Sequence, residues 1–362
     1  MLILATILSI SITNSASGES YLHFWHTEIS LPFVSMHLEH WVNDLLMAVF
    51  FFLVGLEIKR ELVEGELASV KKVMLPLFAA IGGMLFPALI FTAFNLGTEN
   101  IHGWAIPTAT DIAFSLGVLS LLGNRVPLAL KVFLTALAII DDLGGIIIIA
   151  LFYTKEIHLQ YLLLSLFVLA ILFVLNRKKV QSFIFYFIPM IFLWYFIYKS
   201  GVHATIAGVL SALFIPMNKV VQYEHVLHKP VNYFILPVFA LANTTIALSL
   251  ESIPDLWSSL GLGIILALFA GKSLGISFMV LATIKTNISS LPKGIQMKHI
   301  FGVALLAGIG FTMSLFFTAL SFKHPENANT ARLAIIIGSL VSALSGLAYL
   351  SVIYRKPSAT SA

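Results

Sequence analysis

Cysteine is absent from the 362-residue chain, and charged residues make up only 10% of it. Without cysteine, the chain can form no disulfide bond and can perform no thiol chemistry. The scarcity of charge argues against a soluble domain, in which about a quarter of the residues are charged. The net charge of +4 comes from basic residues that are scattered over loops, so no nucleic-acid partner is expected.

Apolar residues, in contrast, make up 59% of the chain, and they are gathered in long stretches between short polar breaks. A helix needs about 20 such residues to cross a bilayer, and the backbone of a spanning segment must satisfy its own hydrogen bonds. We therefore predict an all-α polytopic membrane protein in which residues 1–362 form one transmembrane domain, with an N-terminal part at 1–40 and a helical core at 41–354. The apolar stretches lie at about 41–58, 73–96, 101–122, 127–153, 158–175, 181–198, 200–216, 230–250, 258–284, 298–321 and 331–354.

The basic residues predict how these spans are oriented. If the spans alternate in direction, sixteen of the 21 lysines and arginines lie on one side, and Lys155, Lys199, Lys323 and Arg332 lie on the other. Loops rich in Lys and Arg stay in the cytoplasm, so the C-terminus is expected there. Residues 2–13 are apolar but too few to cross a bilayer. We interpret them as a shortened first transmembrane helix, because a signal peptide usually begins with basic residues.

Four ionisable residues lie deep inside apolar stretches: Asp111, Asp141, Asp142 and Lys272. A charge at the bilayer centre costs at least about 2.5–3.5 kcal/mol, so these groups must face a cavity or one another. Asp141 and Asp142 stand at the middle of an apolar helix, and neighbours in a helix point about 100° apart. One carboxylate can therefore face a partner helix, with Asp141 and Lys272 as a candidate pair, while the other lines a water-filled cavity.

Two of the apolar stretches carry signals of helix interruption. In the first, Pro107 removes a backbone donor, and Thr108 and Thr110 follow it. In the second, Gly308 and Gly310 break an apolar run. Taken singly, these signals are also compatible with a kinked helix or with close packing of small residues. Two interrupted helices in separate halves of the chain together favour inverted repeats with a substrate site at their interface.

Seven segments, in order along the chain, resemble the NhaA family of bacterial Na⁺/H⁺ antiporters. The resemblance runs from about residue 40 to the end of the chain and includes the intramembrane Asp-Asp pair. The segments are VFFFLVGLEIKREL (49–62), WAIPTATDIAF (104–114), LTALAIIDDLGG (134–145), KSGVHATIAGV (199–209), EHVLH (224–228), GKSLGIS (271–277) and GIGFTMS (308–314).

The resemblance implies about twelve transmembrane helices, two of them discontinuous and crossing at mid-membrane. It implies that Asp142 is the main carboxylate for the transported Na⁺, and that Asp141 is its neighbour and can pair with Lys272. It also implies that Asp111 and Thr110 belong to an interrupted helix, in which the aspartate compensates the helix-end dipoles. The fold would thus bring ion-binding and proton-coupling groups together.

The resemblance further implies regulation by pH. The cytoplasmic cluster linked to pH activation matches Glu57, Arg60, Glu61 and Glu224, and His203 matches a histidine that influences the pH profile. His225 and His228 lie beside this cluster, and histidine titrates near pH 6.5. A solvated group of charges at the loop ends is the alternative interpretation.

The expected function is electrogenic exchange of cytoplasmic Na⁺ or Li⁺ for external protons, in a bacterial inner membrane, without a cofactor.

Residues 19–40 are short for the family's periplasmic β-hairpin, which carries its dimer contact, and this leaves a homodimer open. A Na⁺-coupled symporter of an organic solute is the main alternative. An intramembrane aspartyl protease is disfavoured because its Gly-x-Gly-Asp signature is absent, and a passive channel would not need carboxylates that can be neutralised.

Overall fold

The computed structural model describes residues 1–31, 34–154, 156–248, 252–322 and 324–354, and within these ranges the chain is mostly helical. Lys155 and Lys323 lie outside these ranges, and so do Arg355 and Lys356, which are two of the sixteen basic residues on the predicted cytoplasmic side. The first helices are α1 Leu2–Thr13, α2 Gly18–Trp25, α3 Leu38–Trp41, α4 Met47–Val63, α5 Val70–Asn95, α6 Ile112–Ser120, α7 Leu128–Phe152, α8 Leu159–Arg177 and α9 Ile184–Lys199. They are followed by α10 Ile206–Leu213, α11 Met217–Pro230, α12 Leu236–Asn243, α13 Ser252–Asp255, α14 Ser259–Leu266, α15 Lys272–Lys285, α16 Met297–Ala307, α17 Phe311–Ser321 and α18 Pro325–Ile353.

Irregular turns join several of these helices into longer rods. Wider π-helical turns link α3 to α4, α11 to α12, and α14 to α15, and they lie at Val42–Leu46, Val231–Ile235 and Ala267–Gly271. Tighter 3₁₀ segments lie at Glu66–Ala68, Glu99–Thr108 and Gly123–Arg125. Turns of the π type are frequent at functional sites, and the one at Ala267–Gly271 immediately precedes Lys272.

Within the described residues, six helical rods are long and apolar enough to cross a membrane. Helices α16 and α17 meet the same criteria only as a pair, and they are bent by 47° at their junction. Every one of the eleven predicted apolar stretches contains a helix, but several of these helices are short. The chain is therefore a multi-pass membrane protein. The six rods are Leu38–Val63, Val70–Asn95, Leu128–Phe152, Leu159–Arg177, Ser259–Lys285 and Pro325–Ile353.

A β-hairpin is the exception to the predicted all-α class. Strands β1 Glu28–Leu31 and β2 Val34–His37 pair antiparallel, with Glu28 opposite His37. The segment 19–40 is short, but it accommodates a hairpin because each strand has only four residues. The prediction of a fold made only of helices is therefore corrected by this hairpin.

The chain divides into two compact units, and the first comprises residues 1–68 and 145–249. Its apolar core is built by α4, α8, α9 and α10, through residues such as Leu56, Leu172, Leu193 and Ala212. In α8, only 17% of the most apolar window is buried inside the protein, so most of this helix faces lipid. Helix α1 is tied to α12 because the Ser9 hydroxyl donates to the Leu241 carbonyl at 2.8 Å.

The second unit comprises residues 69–144 and 250–362. In it, α5 packs closely against α15, where Gly82 and Gly275 face each other's backbone carbonyls. Side chains at these two positions would collide with that backbone, so the glycines permit the close approach. This contact holds the beginning of α15, and thus Lys272, against α5.

Candidate functional site

The first helix break lies between the 3₁₀ segment Glu99–Thr108 and helix α6. Pro107 lies inside the 3₁₀ segment, and residues 109–111 have no helical structure. Proline cannot donate a backbone hydrogen bond and restricts the residue before it, which accounts for an interruption at this position. Thr108, Thr110 and Asp111 are all buried here.

The second break separates α16 from α17. Helix α16 ends at Ala307, and α17 begins at Phe311, so the intervening segment is Gly308 to Gly310. The amide of Gly308 bonds to the Leu305 carbonyl and that of Ile309 to the Leu306 carbonyl, which tightens the last turn of α16. Pro107 thus lies just before the first break, and Gly308 and Gly310 lie within the second.

Hydrogen bonds connect the two breaks directly. The Asp111 amide donates to the Ile309 carbonyl at 2.7 Å, and the Thr110 hydroxyl donates to the Ala307 carbonyl at 2.9 Å. The Ser115 hydroxyl donates to the Leu306 carbonyl, also at 2.9 Å. Three carbonyls at the second break therefore accept hydrogen bonds from donors beside the first break, which helps to satisfy them within an apolar environment.

Asp111 caps two helix N-termini at once. Its Oδ1 accepts a hydrogen bond from the Phe114 amide at 3.0 Å, which caps α6. Its Oδ2 accepts from the amide of Thr312 at 3.1 Å and from the hydroxyl of Thr312 at 2.5 Å, in the first turn of α17. A carboxylate at a helix N-terminus stabilises the positive end of the helix dipole, and here one carboxylate serves two helices.

Lys272 and Asp141 form a buried ion pair next to the first break. The Lys272 Nζ lies 2.6 Å from Asp141 Oδ2, and both side chains are fully shielded from solvent. The same ammonium donates to the Thr110 hydroxyl at 2.9 Å. Asp141 Oδ1 has no hydrogen-bond partner among the described residues, so it is an oxygen that can accept a proton or a cation.

Asp142 is also buried, with 6% of its surface exposed, and its carboxylate lies within electrostatic reach of Lys272. Among the described residues, no group of three or more His, Asp or Glu side chains is arranged to hold a metal ion. The second unit thus brings together two carboxylates, one ammonium and one threonine hydroxyl, all of them buried. Such a set can exchange a small monovalent cation for protons.

In the first unit, an acidic cluster surrounds Arg60. Arg60 bonds to Glu224 at 2.6 Å and to Glu61 at 3.0 Å, while His228 lies 3.5 Å from Glu57. Glu224 is buried, and its Oε1 has no hydrogen-bond partner in the described part of the chain. His225 completes this set, which we call the Glu224 cluster, but its side chain is exposed.

Burial and charge change the pKa values in the Glu224 cluster. Burial raises the pKa of Glu224 above its ordinary value of 4.5, Arg60 opposes the rise and Glu61 reinforces it. Burial also lowers the pKa of His228 below its ordinary value of 6.5, and the positive charges of Arg60 and His225 add to this effect. Protonation of this cluster therefore depends on Arg60, which acts on both groups.

His203 does not join the Glu224 cluster. Its Nε2 lies 3.3 Å from Asp44 Oδ1, and its Nδ1 lies 2.9 Å from the Thr205 hydroxyl. Asp44 and Arg60 lie on the same helical rod, Leu38–Val63. At about 1.5 Å per residue, they are roughly 24 Å apart along its axis. The two sets of titratable groups assigned to pH regulation therefore lie at opposite ends of this span.

Sequence reasoning missed two of the polar groups that complete these sites. Thr312 was not singled out, although it lies in the GIGFTMS segment directly after the second break. Asp44 was overlooked because it lies at the end of an apolar stretch rather than in the middle. For Asp44, a signal was present in the sequence: it is a carboxylate four residues inside the stretch that begins at residue 41.

Buried carboxylates beside two hydrogen-bonded helix breaks, in a multi-pass helical protein, define a secondary transporter of ions. Comparison with known proteins gives the family. A profile described as Na⁺/H⁺ antiporter 1 matches residues 1–350, and the chain belongs to this family. Members of this family are transporters, not enzymes.

Similar proteins align over nearly their whole length. The chain is 48% identical to the Na⁺/H⁺ antiporter NhaA of Flavobacterium psychrophilum over 98% of its own length and 92% of the relative's. For the NhaA of Aliivibrio fischeri strain MJ11, the identity is 48% over 99% and 96% of the two lengths. For that of Vibrio alginolyticus, the identity is 49% over 97% and 93%.

Proposed function

We propose that the chain is an electrogenic antiporter that exchanges cytoplasmic Na⁺ or Li⁺ for external protons. The observation that carries this proposal is the buried Lys272–Asp141 pair at 2.6 Å, with Asp142 beside it, in a chain of the Na⁺/H⁺ antiporter 1 family. Carboxylate oxygens suit a hard cation such as Na⁺, and they equally accept protons. Competition between the two then couples their movements.

The charges of the three groups support exchange of two protons for one Na⁺. With Lys272 protonated, Asp141 ionised and Asp142 protonated, the site is neutral. Na⁺ bound by Asp142 and Asp141 displaces the proton of Asp142, and it competes with Lys272 for Asp141, so the ammonium can lose its proton as well. The loaded site then carries one negative charge, and each cycle moves net charge across the membrane.

The two breaks supply the setting for this chemistry. We place them near mid-membrane, where the two interrupted helices cross in a fold of about twelve spans built from inverted repeats. Thr110 contacts both Lys272 and the Ala307 carbonyl, so a change in the ion pair reaches the second break directly. Asp111 holds the two N-termini together and compensates their dipoles. No cofactor takes part.

The Glu224 cluster is proposed to activate transport as cytoplasmic pH rises. Deprotonation of Glu224 strengthens its ion pair with Arg60, and deprotonation of His228 weakens its attraction to Glu57. His203, paired with Asp44, is proposed to modulate the pH profile from the other end of the span. The predicted setting is a bacterial inner membrane with a cytoplasmic C-terminus, and the hairpin β1–β2 supports a homodimer through its exposed strand β1.

Proton flux in everted membrane vesicles tests the exchange itself. Addition of Na⁺ or Li⁺, but not K⁺, is expected to release protons from acidified vesicles in the absence of any organic solute. A requirement for an organic solute would instead identify the alternative Na⁺-coupled symporter, which no observation on this chain favours. A flux that is insensitive to Na⁺ and Li⁺ would contradict both assignments.

A further inference from the structure

Three serines on α18 differ in how their hydroxyls are used. The Ser345 hydroxyl bonds back to the Val341 carbonyl at 2.6 Å, as serines inside helices commonly do. The Ser339 hydroxyl accepts a hydrogen bond from the Phe311 amide at 3.2 Å, at the beginning of α17. Ser342 is completely buried, yet its hydroxyl has no hydrogen-bond partner among the described residues. Close packing at Ser342 would need no hydroxyl, so the presence of this polar group calls for another explanation.

The Ser342 hydroxyl lies against Gly308 in the second break. A Cβ atom on Gly308 would stand 2.6 Å from Ser342 Oγ and 3.1 Å from the Leu305 carbonyl oxygen, and it would also collide with the Leu268 carbonyl oxygen. Three oxygens from three different helical elements thus converge on one glycine. Only a residue without a side chain leaves room for them.

One of the neighbouring carbonyls belongs to a π-helical turn, and the other belongs to the end of a helix. Leu268 lies in the π-helical turn Ala267–Gly271, one turn before Lys272. Leu305 lies in the last turn of α16 and accepts from the amide of Gly308. Ser342 therefore stands between the turn that carries Lys272 and the break that contacts Thr110 and Asp111.

An unpaired donor beside two carbonyls gains a hydrogen bond when either carbonyl turns towards it. We propose that Ser342 is a positioning residue of the antiport reaction, whose hydroxyl bonds to the Leu268 or Leu305 carbonyl in the alternative conformation of the second break. This inference rests on the proposed function, because it assigns the hydroxyl to a step of the exchange cycle. The hydroxyl stabilises the alternative conformation, and it thereby lowers the free-energy cost of reaching that conformation from the displayed one.

Ser342→Ala separates this role from simple packing. Turnover at saturating Na⁺ is expected to fall roughly fivefold, the equivalent of about 1 kcal/mol, with half-saturating Na⁺ changed less than about twofold. The melting temperature, followed by tryptophan fluorescence, is expected to stay the same or to rise, because alanine removes an unsatisfied buried hydroxyl. Loss of packing would instead lower melting temperature and turnover together.

Two controls complete the experiment. Ser345→Ala removes a hydroxyl from the same helix that already has a partner, and it should leave turnover within about twofold of the wild type. Ser342→Cys keeps the size and a weak donor, so its turnover should lie between those of Ser342→Ala and the wild type. The inference is overturned if Ser342→Ala matches Ser345→Ala in turnover, or if its melting temperature falls with its activity. Absence of Na⁺-driven proton flux from the wild type would contradict the proposed function instead.

Discussion

Asp111 and Thr312, which are 201 residues apart in the chain, form one capping unit. Asp111 Oδ2 accepts from both the amide and the hydroxyl of Thr312, while its Oδ1 caps its own helix. Two interrupted helices are therefore joined at their N-termini by a single carboxylate. The arrangement gives the Asp111 carboxylate a share in the stability of both helices.

Asp111→Ala should destabilise the protein severely. Hydrogen bonds to charged groups contribute about 1.5–3 kcal/mol each, and the substitution removes bonds to two helices, so the loss should reach about 3 kcal/mol or more. Thermal unfolding in detergent, followed by the fluorescence of the five tryptophans, measures it. Asp255→Ala, which removes a carboxylate from an exposed residue, is the control. Equal melting temperatures for the two variants would contradict the capping role.

The Lys272–Asp141 pair should behave as a coupled unit. Removal of one partner from a buried pair costs about 3–5 kcal/mol, because the other charge remains buried without compensation. The double variant Lys272→Met/Asp141→Asn should therefore lose clearly less stability than the two single variants lose in total. A double-mutant cycle on melting temperature tests this, and strict additivity would show that the two side chains do not interact.

Arg60→Gln should shift the pH profile of transport towards alkaline pH. The guanidinium lowers the pKa of both Glu224 and His228, so its removal raises both values. Each group then loses its proton only at a higher pH, so transport is activated at a higher pH as well. Proton flux measured over a pH series checks this, with Arg177→Gln as a charge-matched control at the end of α8. An acidic shift, or no shift, would exclude the Glu224 cluster from activation.

Gly275→Ala should impair transport by moving the helix that carries Lys272. The added Cβ would collide with the Gly82 backbone carbonyl, and such overpacking typically costs about 1–3 kcal/mol. Gly117→Ala is the matched control, because a Cβ at that position meets nothing within 4 Å. Both variants are assayed for Na⁺-dependent proton flux and melting temperature. Wild-type behaviour of Gly275→Ala would show that the close contact of α5 and α15 is unimportant.

Local signals predicted much of this architecture. Apolar stretches gave the positions of the helices, and Pro107, Gly308 and Gly310 gave the breaks, because proline and glycine act on the backbone where they stand. The pairing of Lys272 with Asp141 could also be predicted from the sequence, because a buried ammonium requires a carboxylate and few carboxylates lie deep in the apolar stretches.

The remaining features depend on contacts between distant segments. The sequence around Asp111 does not show that its carboxylate will also cap the helix of Thr312, and the partner of His203 lies in another span. Residues 19–40 looked short for a hairpin, and only the structure shows that strands of four residues each suffice. The hydroxyl of Ser342 differs from that of Ser345 only through tertiary contacts, which the sequence of α18 alone does not reveal.

Na⁺-dependent proton flux of Asp142→Asn in everted vesicles tests the central claim most directly. Asparagine keeps the shape of the side chain but can neither carry the negative charge nor exchange a proton, so the exchange should be abolished at every Na⁺ concentration. Asp255→Asn serves as the control, and melting temperatures verify that both variants are folded. Exchange by folded Asp142→Asn at a rate close to the wild type would contradict the account.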